Sequence, residues 1–127
     1  MIGLRNLIAT FLLLTLDFAW LSGFMGARYK VLVKNIQKSP IKVNYLYAIA
    51  SYALMVYALN AFVIKYDLSG FEAFMFGVCL YGVYDFTAGA ILKDWDLPLA
   101  LYDITWGGVV YFLAATLSKT IAKMFKK

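Results

Sequence analysis

Three aspartates lie inside apolar stretches that are long enough to cross a membrane, and they are the side chains best placed to do chemistry. Asp17, Asp85 and Asp103 each lie in a different stretch. A carboxylate in the middle of a membrane helix costs about 2.5–3.5 kcal/mol on insertion scales, so three cost on the order of 8–10 kcal/mol. A chain that keeps them must pair, protonate or hydrate them, which predicts a polar site within the membrane.

The chemistry open to these carboxyls is narrow. Burial and mutual repulsion disfavour three full charges, so we expect at least one carboxyl to hold a proton near neutral pH, as a proton-coupled carrier requires. Three carboxylates could also bind a divalent cation through oxygen, which leaves the question of a metal open. The chain has no histidine, only Cys79 as cysteine, and no nucleophile, phosphate-binding or zinc motif. We therefore expect no cofactor and favour a function other than catalysis.

Other polar side chains lie where they could bond to the aspartates. Trp20, Tyr81 and Trp106 lie three or four positions from an aspartate and so share its helix face. Thr87 and Thr105 lie two positions from an aspartate, and Ser51 and Tyr52 lie at a similar depth in the second span. The candidate partners are Trp20, Ser51, Tyr52, Tyr81, Thr87, Thr105 and Trp106. Gly82, Gly89 and Gly107 lie on the same faces and would let another helix approach closely.

Composition indicates a membrane protein. Of the 127 residues, 64 % are hydrophobic and only 15 % are charged, with a mean hydropathy of +0.76. A soluble domain of this size could not bury so many apolar side chains. The net charge is +5. In such a chain, lysines at span ends meet anionic lipid headgroups, so the lipid bilayer is the expected partner and nucleic acid is not.

Four spans follow from the apolar stretches, each near the roughly 20 residues that cross a bilayer. They cover about residues 4–25, 44–64, 71–92 and 98–117. Short connections make neighbouring helices antiparallel, so we predict an all-α, four-helix up-down bundle in a single domain, residues 1–127. Both termini then lie on one side of the membrane, here called side A; the opposite side is side B.

Two basic segments flank the spans. In the connection 26–43, Lys30, Lys34 and Lys38 recur every four residues, which suits a short interfacial helix with lysines towards headgroups. A direct extension of the first helix is the equal alternative. The segment 118–127 is a basic tail.

The spans also predict how deep each aspartate lies. Counting 1.5 Å per residue from the side B ends puts Asp17 about 12 Å, Asp85 about 11 Å and Asp103 about 8 Å into the membrane. We therefore expect the three carboxyls to form one layer in the half nearer side B, with their side chains inside the bundle.

Three motifs resemble one known family. They are Leu16–Leu21, Tyr81–Thr87 and Tyr102–Gly107. In this order they are similar to the landmarks of a domain-of-unknown-function family of small membrane proteins, found in bacteria and in some large DNA viruses. Ala88 departs from the asparagine that the family favours there. The resemblance covers nearly the whole chain and implies the fold and topology, but no activity.

Three functions fit these residues. The first is a proton- or cation-coupled binding or transport module with the aspartates as its polar core. The second is an accessory or structural subunit of a larger membrane assembly, for example a multi-subunit complex or a viral membrane, in which the aspartates hold helices together. The partners considered besides the bilayer are other membrane subunits or copies of this chain. The third, ranked last, is a membrane enzyme that acts on lipid.

Overall fold

The apolar stretches form four long helices, all of which are long and apolar enough to cross a membrane. The computed structural model describes residues 3–125, and every helix and turn below lies in that range. The helices are α1 (Leu4–Gln37), α2 (Tyr45–Ile64), α3 (Gly70–Ile91) and α4 (Leu97–Met124). The predicted all-α bundle with four spans is confirmed.

Two helices are longer than the expected spans. Helix α1 does not end near residue 25: after a π-helical turn at Leu21–Met25 it continues as α-helix to Gln37. Lys38, with φ of 62°, then ends it just before Ser39-Pro40. The basic connection is therefore an extension of the first helix, because no residue before that proline breaks it. Helix α4 likewise runs through most of the basic tail; Lys126 and Lys127 lie outside the described residues.

Local signals fix the starts of the later helices. Ser69 caps α3 by accepting from the Glu72 amide, and Glu72 reciprocates with the Ser69 amide at 2.9 Å. Asp96 caps α4 by accepting from the Leu99 amide at 3.1 Å, with Pro98 in the first turn. These caps hold the two short turns that make α2, α3 and α4 successively antiparallel.

Close helix packing is concentrated where α4 meets α3. A Cβ atom on Gly77 would overlap the carbonyl oxygen of Gly107, so the two backbones touch. The rings of Tyr81 and Phe74 lie against Gly107 and Gly108 respectively. Of the predicted packing glycines, Gly107 therefore lies at the closest crossing.

The other two predicted packing glycines play different parts. Around Gly82 the nearest atom to an added Cβ belongs to Ile104 at 4.0 Å, so no helix approaches closely there. Gly89 makes room for the Trp95 ring, 3.3 Å from such an atom, rather than for a helix.

Helix α2 stands away from the rest of the bundle over most of its length. Between Tyr45 and Ala58 it has no buried residue, whereas Leu59, Val63 and Ile64 at its side A end are buried. Asn60 bonds to the side chains of Asn6 and Thr10 at 2.8 and 2.9 Å. A tyrosine hydroxyl of α4 also donates to the Met55 carbonyl of α2 at 2.8 Å. Helix α2 is thus anchored at side A and separated towards side B.

Candidate intramembrane carboxyl site

Asp17 is the best-satisfied carboxyl in the bundle. Its Oδ2 accepts from the Tyr52 hydroxyl at 2.6 Å, and its Oδ1 accepts from the Tyr81 hydroxyl at 2.7 Å and from Trp106 Nε1 at 3.2 Å. The three donors come from α2, α3 and α4, so one carboxyl of α1 joins all four helices. Hydrogen bonds of this kind balance the loss of hydration on burial.

Asp85 and Asp103 form a second, different group. Each lies six residues from the end of its helix at the α3–α4 turn, so the two carboxyls meet at the same level. The exposed fractions are 5 % for Asp17, 0 % for Asp85 and 6 % for Asp103. Among the described residues, no N–H or O–H group forms a hydrogen bond with either oxygen of Asp85.

Unpartnered donors surround this pair. Trp20 Nε1 and the Tyr29 hydroxyl lie beside Asp103, and the Tyr29 hydroxyl also lies near Asp85, but neither donor reaches hydrogen-bonding geometry. Buried polar groups in native proteins are normally satisfied by protein or by ordered water. A set of orphaned donors and acceptors in one place therefore indicates a region built to hold water or a ligand.

Stacked aromatic rings enclose the carboxyls. Trp20 and Trp106 stack with ring centroids 4.8 Å apart and planes 8° from parallel, and Phe24 continues the stack at 4.7 Å from Trp20. Towards side B, Tyr29 of the α1 extension lies 6.3 Å from Trp95 of the α3–α4 turn. These rings form part of the wall around the carboxyls.

A cavity of about 480 Å³, here called the site cavity, lies between the separated part of α2 and the other helices. It is bounded by two carboxyls, four tyrosines, one serine and apolar side chains. The lining residues are Asp17, Leu21, Tyr29, Ala48, Ser51, Tyr52, Leu54, Met55, Leu80, Tyr81, Tyr84 and Asp103. On the other flank of α2, a mostly apolar lateral groove of about 990 Å³ lies against α1 and shares Ala48 and Tyr52 with the site cavity.

The structure brings most of the predicted site residues together. One cluster contains the three aspartates together with Trp20, Tyr52, Tyr81 and Trp106. Ser51 lies on the wall of the site cavity. Thr87 is exposed, and Thr105 is exposed with its hydroxyl donating to the Leu101 carbonyl of its own helix at 2.8 Å. These two threonines face away because each lies two residues after an aspartate, which is about 200° round the helix.

The expected single layer is corrected to two levels. The donors to Asp17 on α3 and α4 are Tyr81 and Trp106, which lie one helical turn further from side B than Asp85 and Asp103. The expectation counted from a helix end near residue 25, whereas α1 has no end there. The predicted depth of Asp17 was therefore counted from a helix end that the structure does not have.

Three site residues were missed from the sequence: Tyr29, Tyr84 and Trp95. Tyr29 lay in the presumed connection, and only the continuity of α1 places it over the carboxyls. Tyr84 was detectable, because it lies three residues after Tyr81 and so shares its helix face. No signal in the sequence pointed to Trp95, which reaches the site by folding back from a turn.

The arrangement has no centre for a metal ion. Within residues 3–125, no three carboxyl or cysteine groups come close enough to hold one. Asp17 is occupied by its three donors, and the remaining two carboxyls are surrounded by N–H and O–H groups. Such surroundings suit water better than a metal, because water can accept from these donors and donate to the carboxyls.

These features define the class of the protein: a small multi-pass membrane protein with four helices and buried carboxyls at their centre. A family model matches residues 3–120, and the chain belongs to that family, which is described as "Predicted membrane protein (DUF2177)". The resemblance noted from the three motifs is thereby confirmed, as is the membrane location. No curated protein and no solved structure matches the chain.

Proposed function

We propose that this protein is a proton-coupled membrane module that binds a small amphipathic cation in the site cavity. The observation that carries the proposal is the cavity itself: about 480 Å³, with the Asp17 and Asp103 carboxyls and four tyrosines on its wall. Ligand pockets typically measure about 300–1,000 Å³ and combine apolar walls with a few polar groups.

The lining chemistry favours a cation with an apolar tail. Carboxylates attract a positive charge, and tyrosine rings add cation–π attraction, which is the usual means of recognising quaternary ammonium groups. The adjoining lateral groove is lined largely by apolar side chains and could take a hydrocarbon tail. Because α2 stands away from the bundle, a molecule dissolved in the lipid would reach both spaces sideways.

Proton coupling follows from the Asp85–Asp103 pair. Two adjacent carboxyls in a medium of low dielectric constant repel each other when both are ionised, so a proton or a bound cation is needed to balance them. The two would therefore compete, and cation affinity should rise with pH. When the cation binds, the pair releases a proton, and this release couples cation binding to proton movement.

The test uses octyltrimethylammonium, whose charge does not change with pH. Calorimetric titration of the protein in nanodiscs, corrected with protein-free nanodiscs, should show saturable binding that weakens from about pH 8 to about pH 5 as protons compete. Asp103→Asn should weaken binding about tenfold by removing a charge from the cavity wall. Thr105→Ala, on the same helix but outside the site, is the matched control and should bind like the wild type.

Two results would overturn the proposal. One is a wild-type titration that matches protein-free nanodiscs at every pH. The other is equal affinity for Asp103→Asn and Thr105→Ala.

A role as an accessory subunit is the second candidate, and the exposed side of α2 favours it. Tyr45, Leu46, Ile49 and Leu54 are each about two-thirds exposed or more in the isolated chain. Another membrane subunit or a second copy of this chain would cover this surface. Gentle extraction and native mass spectrometry distinguish the candidates, since an accessory subunit migrates with a fixed partner at constant ratio.

The lipid bilayer is the partner we propose for the basic extension of α1. Lys30, Lys34 and Lys38 are all exposed at or near the end of that helix. Each lysine near an anionic surface contributes about 1 kcal/mol. Native mass spectrometry with phosphatidylglycerol should therefore show less retained lipid for the triple Lys→Gln variant than for Lys65→Gln at side A.

A further inference from the structure

A second cavity lies beneath the α3–α4 turn and shares no lining residue with the site cavity. This turn cavity has a volume of about 360 Å³ and is lined by Asp85, Phe86, Gly89, Leu92, Asp94, Trp95, Leu97 and Ala100. Asp94 is exposed at the side B surface, whereas Asp85 is completely buried. The turn cavity thus lies between the surface and Asp85, which is roughly 9 Å in from the end of α3.

The polar groups on its wall are complementary and unpartnered. Within residues 3–125, both oxygens of Asp85 lack a hydrogen-bond donor and Trp95 Nε1 lacks an acceptor. A water molecule can accept from the indole N–H and donate to the carboxyl, which satisfies both. A metal cation could satisfy only the carboxyl, because the indole presents a hydrogen to it. At roughly 30 Å³ per water, the volume is enough for a chain of several molecules.

The two cavities end on different members of the pair. Asp85 lines the turn cavity and Asp103 lines the site cavity, and the two carboxyls adjoin. We propose that the turn cavity is a hydrated proton-entry route from side B to Asp85, and that the Asp85–Asp103 pair passes the proton to the site cavity. This inference rests on the proposed function for its purpose, but its route can be tested without any ligand.

The transfer is balanced at each step. A hydronium in the turn cavity gives a proton to an ionised Asp85, so that a water O–H bond breaks and a carboxyl O–H bond forms. Asp85 then gives its proton to an ionised Asp103 and returns to the carboxylate form. A cation that enters the site cavity against Asp103 would drive the proton back along the same path.

Each packed element contributes a titratable group around the pair. Tyr29 approaches from α1, Tyr52 from α2, Tyr81 and Tyr84 from α3 and Asp94 from the turn, while Asp17 faces Asp103. The tyrosines remain neutral hydroxyls at neutral pH. Asp17 lines the site cavity rather than the turn cavity. The Asp85–Asp103 pair is therefore the acceptor that the turn cavity serves.

Infrared spectroscopy of the protein in nanodiscs tests this route, because a protonated carboxyl gives a carbonyl band of its own. We expect this band in the wild type at neutral pH and its loss in Asp85→Asn. After rapid mixing into D2O, the band should shift as deuterium replaces hydrogen. Ala100→Leu, which fills the turn cavity without removing a polar group, should slow this exchange about tenfold by displacing the water.

Two further variants make the test specific. Trp95→Phe removes only the indole N–H from the wall and should also slow the exchange, so the test stands even if Ala100→Leu does not fold. Ala48→Leu narrows the site cavity instead and should exchange like the wild type, although it should weaken octyltrimethylammonium binding. Circular dichroism checks that each variant retains its helix content.

Three outcomes would overturn the inference. They are the absence of a protonated-carboxyl band in the wild type at every pH from about 4 to about 9, unchanged exchange in the folded turn-cavity variants, and slower exchange in Ala48→Leu instead. Failure of the proposed function would look different, because it would abolish cation binding and leave the exchange pattern intact.

Discussion

At the scale of single residues, Asp17 and Asp85 differ in the groups that surround their carboxyls. Asp17 has three donors within hydrogen-bonding distance, whereas Asp85 has none among the described residues. Each hydrogen bond between membrane helices contributes modestly to stability, and a carboxyl that accepts three of them from three other helices holds the bundle together. An unsatisfied carboxyl beside a second one has no such benefit, so a functional reason is needed for Asp85 more than for Asp17.

Removal of one donor to Asp17 should therefore lower stability. Tyr81→Phe deletes the hydroxyl that donates to Asp17 at 2.7 Å and should reduce the free energy of unfolding by about 1–2 kcal/mol. Tyr84→Phe is the matched control, since Tyr84 lies on the same helix and forms no hydrogen bond through its hydroxyl among those observed. Unfolding in mixed micelles, followed by circular dichroism, measures both. Equal stabilities for the two variants would show that the hydrogen bond from Tyr81 to Asp17 does not stabilise the bundle.

A second residue-scale prediction concerns acid. Hydrogen bonds and charge attraction from Lys119 and Arg5 hold the pKa of Asp67 below its usual value of 3.8. Ion pairs join it to Arg5 at 2.8 Å and to Lys119 at 3.0 Å. Because the folded-state pKa is depressed, the contribution is complete above the unfolded pKa and is lost as pH falls through the folded pKa.

Asp67→Asn should remove that acid-dependent contribution. We expect the melting temperatures of wild type and variant to differ most near neutral pH and to converge below about pH 4. The difference should be small and should shrink in high salt, because Asp67 is exposed. Melting curves at low and high ionic strength provide the measurement. A difference that grows towards acid pH would contradict the assignment.

At the scale of elements, backbone contact between α3 and α4 makes the frame on which the site is built. Small residues allow such contact in membranes, where dispersion forces and hydrogen bonds replace the hydrophobic effect between helices. The crossing at Gly77 and Gly107 lies next to Tyr81, whose ring covers Gly107 and whose hydroxyl binds Asp17. A shift at this crossing would therefore move a donor of the site.

Two alanine substitutions on α3 separate packing from helix propensity. Gly77→Ala should destabilise by about 1–3 kcal/mol, because its Cβ would overlap the backbone of α4. Gly82→Ala meets only Ile104 at 4.0 Å, and it should be neutral or stabilise by about 0.5–1 kcal/mol through helix propensity. The same unfolding assay compares them. If Gly82→Ala proved the more damaging, the observed crossing would be wrong.

At the scale of the whole molecule, the predictable features are those that hydropathy and local chemistry determine. Apolar length predicted four spans. Spacing along helix faces predicted Tyr81 and Trp106 near the carboxyls, and depth in the second span predicted Tyr52. The rest depends on helix rotation and separation. Lipid-facing and core-facing side chains are equally apolar, so the sequence does not show that α2 stands away from the bundle. Nor does local spacing show that the ring of Trp95 in the α3–α4 turn lies against the ring of Tyr29 on α1.

Charge does not predict how the molecule sits in the membrane, because the spans expected from the sequence assign six of the twelve Lys and Arg residues to each side. The fold does decide which segments share a side. Arg5 near the start of α1 and Lys119 near the end of α4 both pair with Asp67 in the α2–α3 turn, so these three segments lie together at side A. The end of α1 at Lys38 and the α3–α4 turn lie at side B.

Cysteine labelling tests this topology in a Cys79→Ala background. Single cysteines at Gly3 and Phe125 should react with a membrane-impermeant maleimide from one side of sealed vesicles, and a cysteine at Ser39 only from the other. Cys79 must be replaced because its side chain is exposed on α3. Vesicles opened with detergent show the full reactivity of each position. If Gly3→Cys and Phe125→Cys reacted from opposite sides, an even number of spans would be excluded, and with it the four-helix frame that brings the carboxyls together.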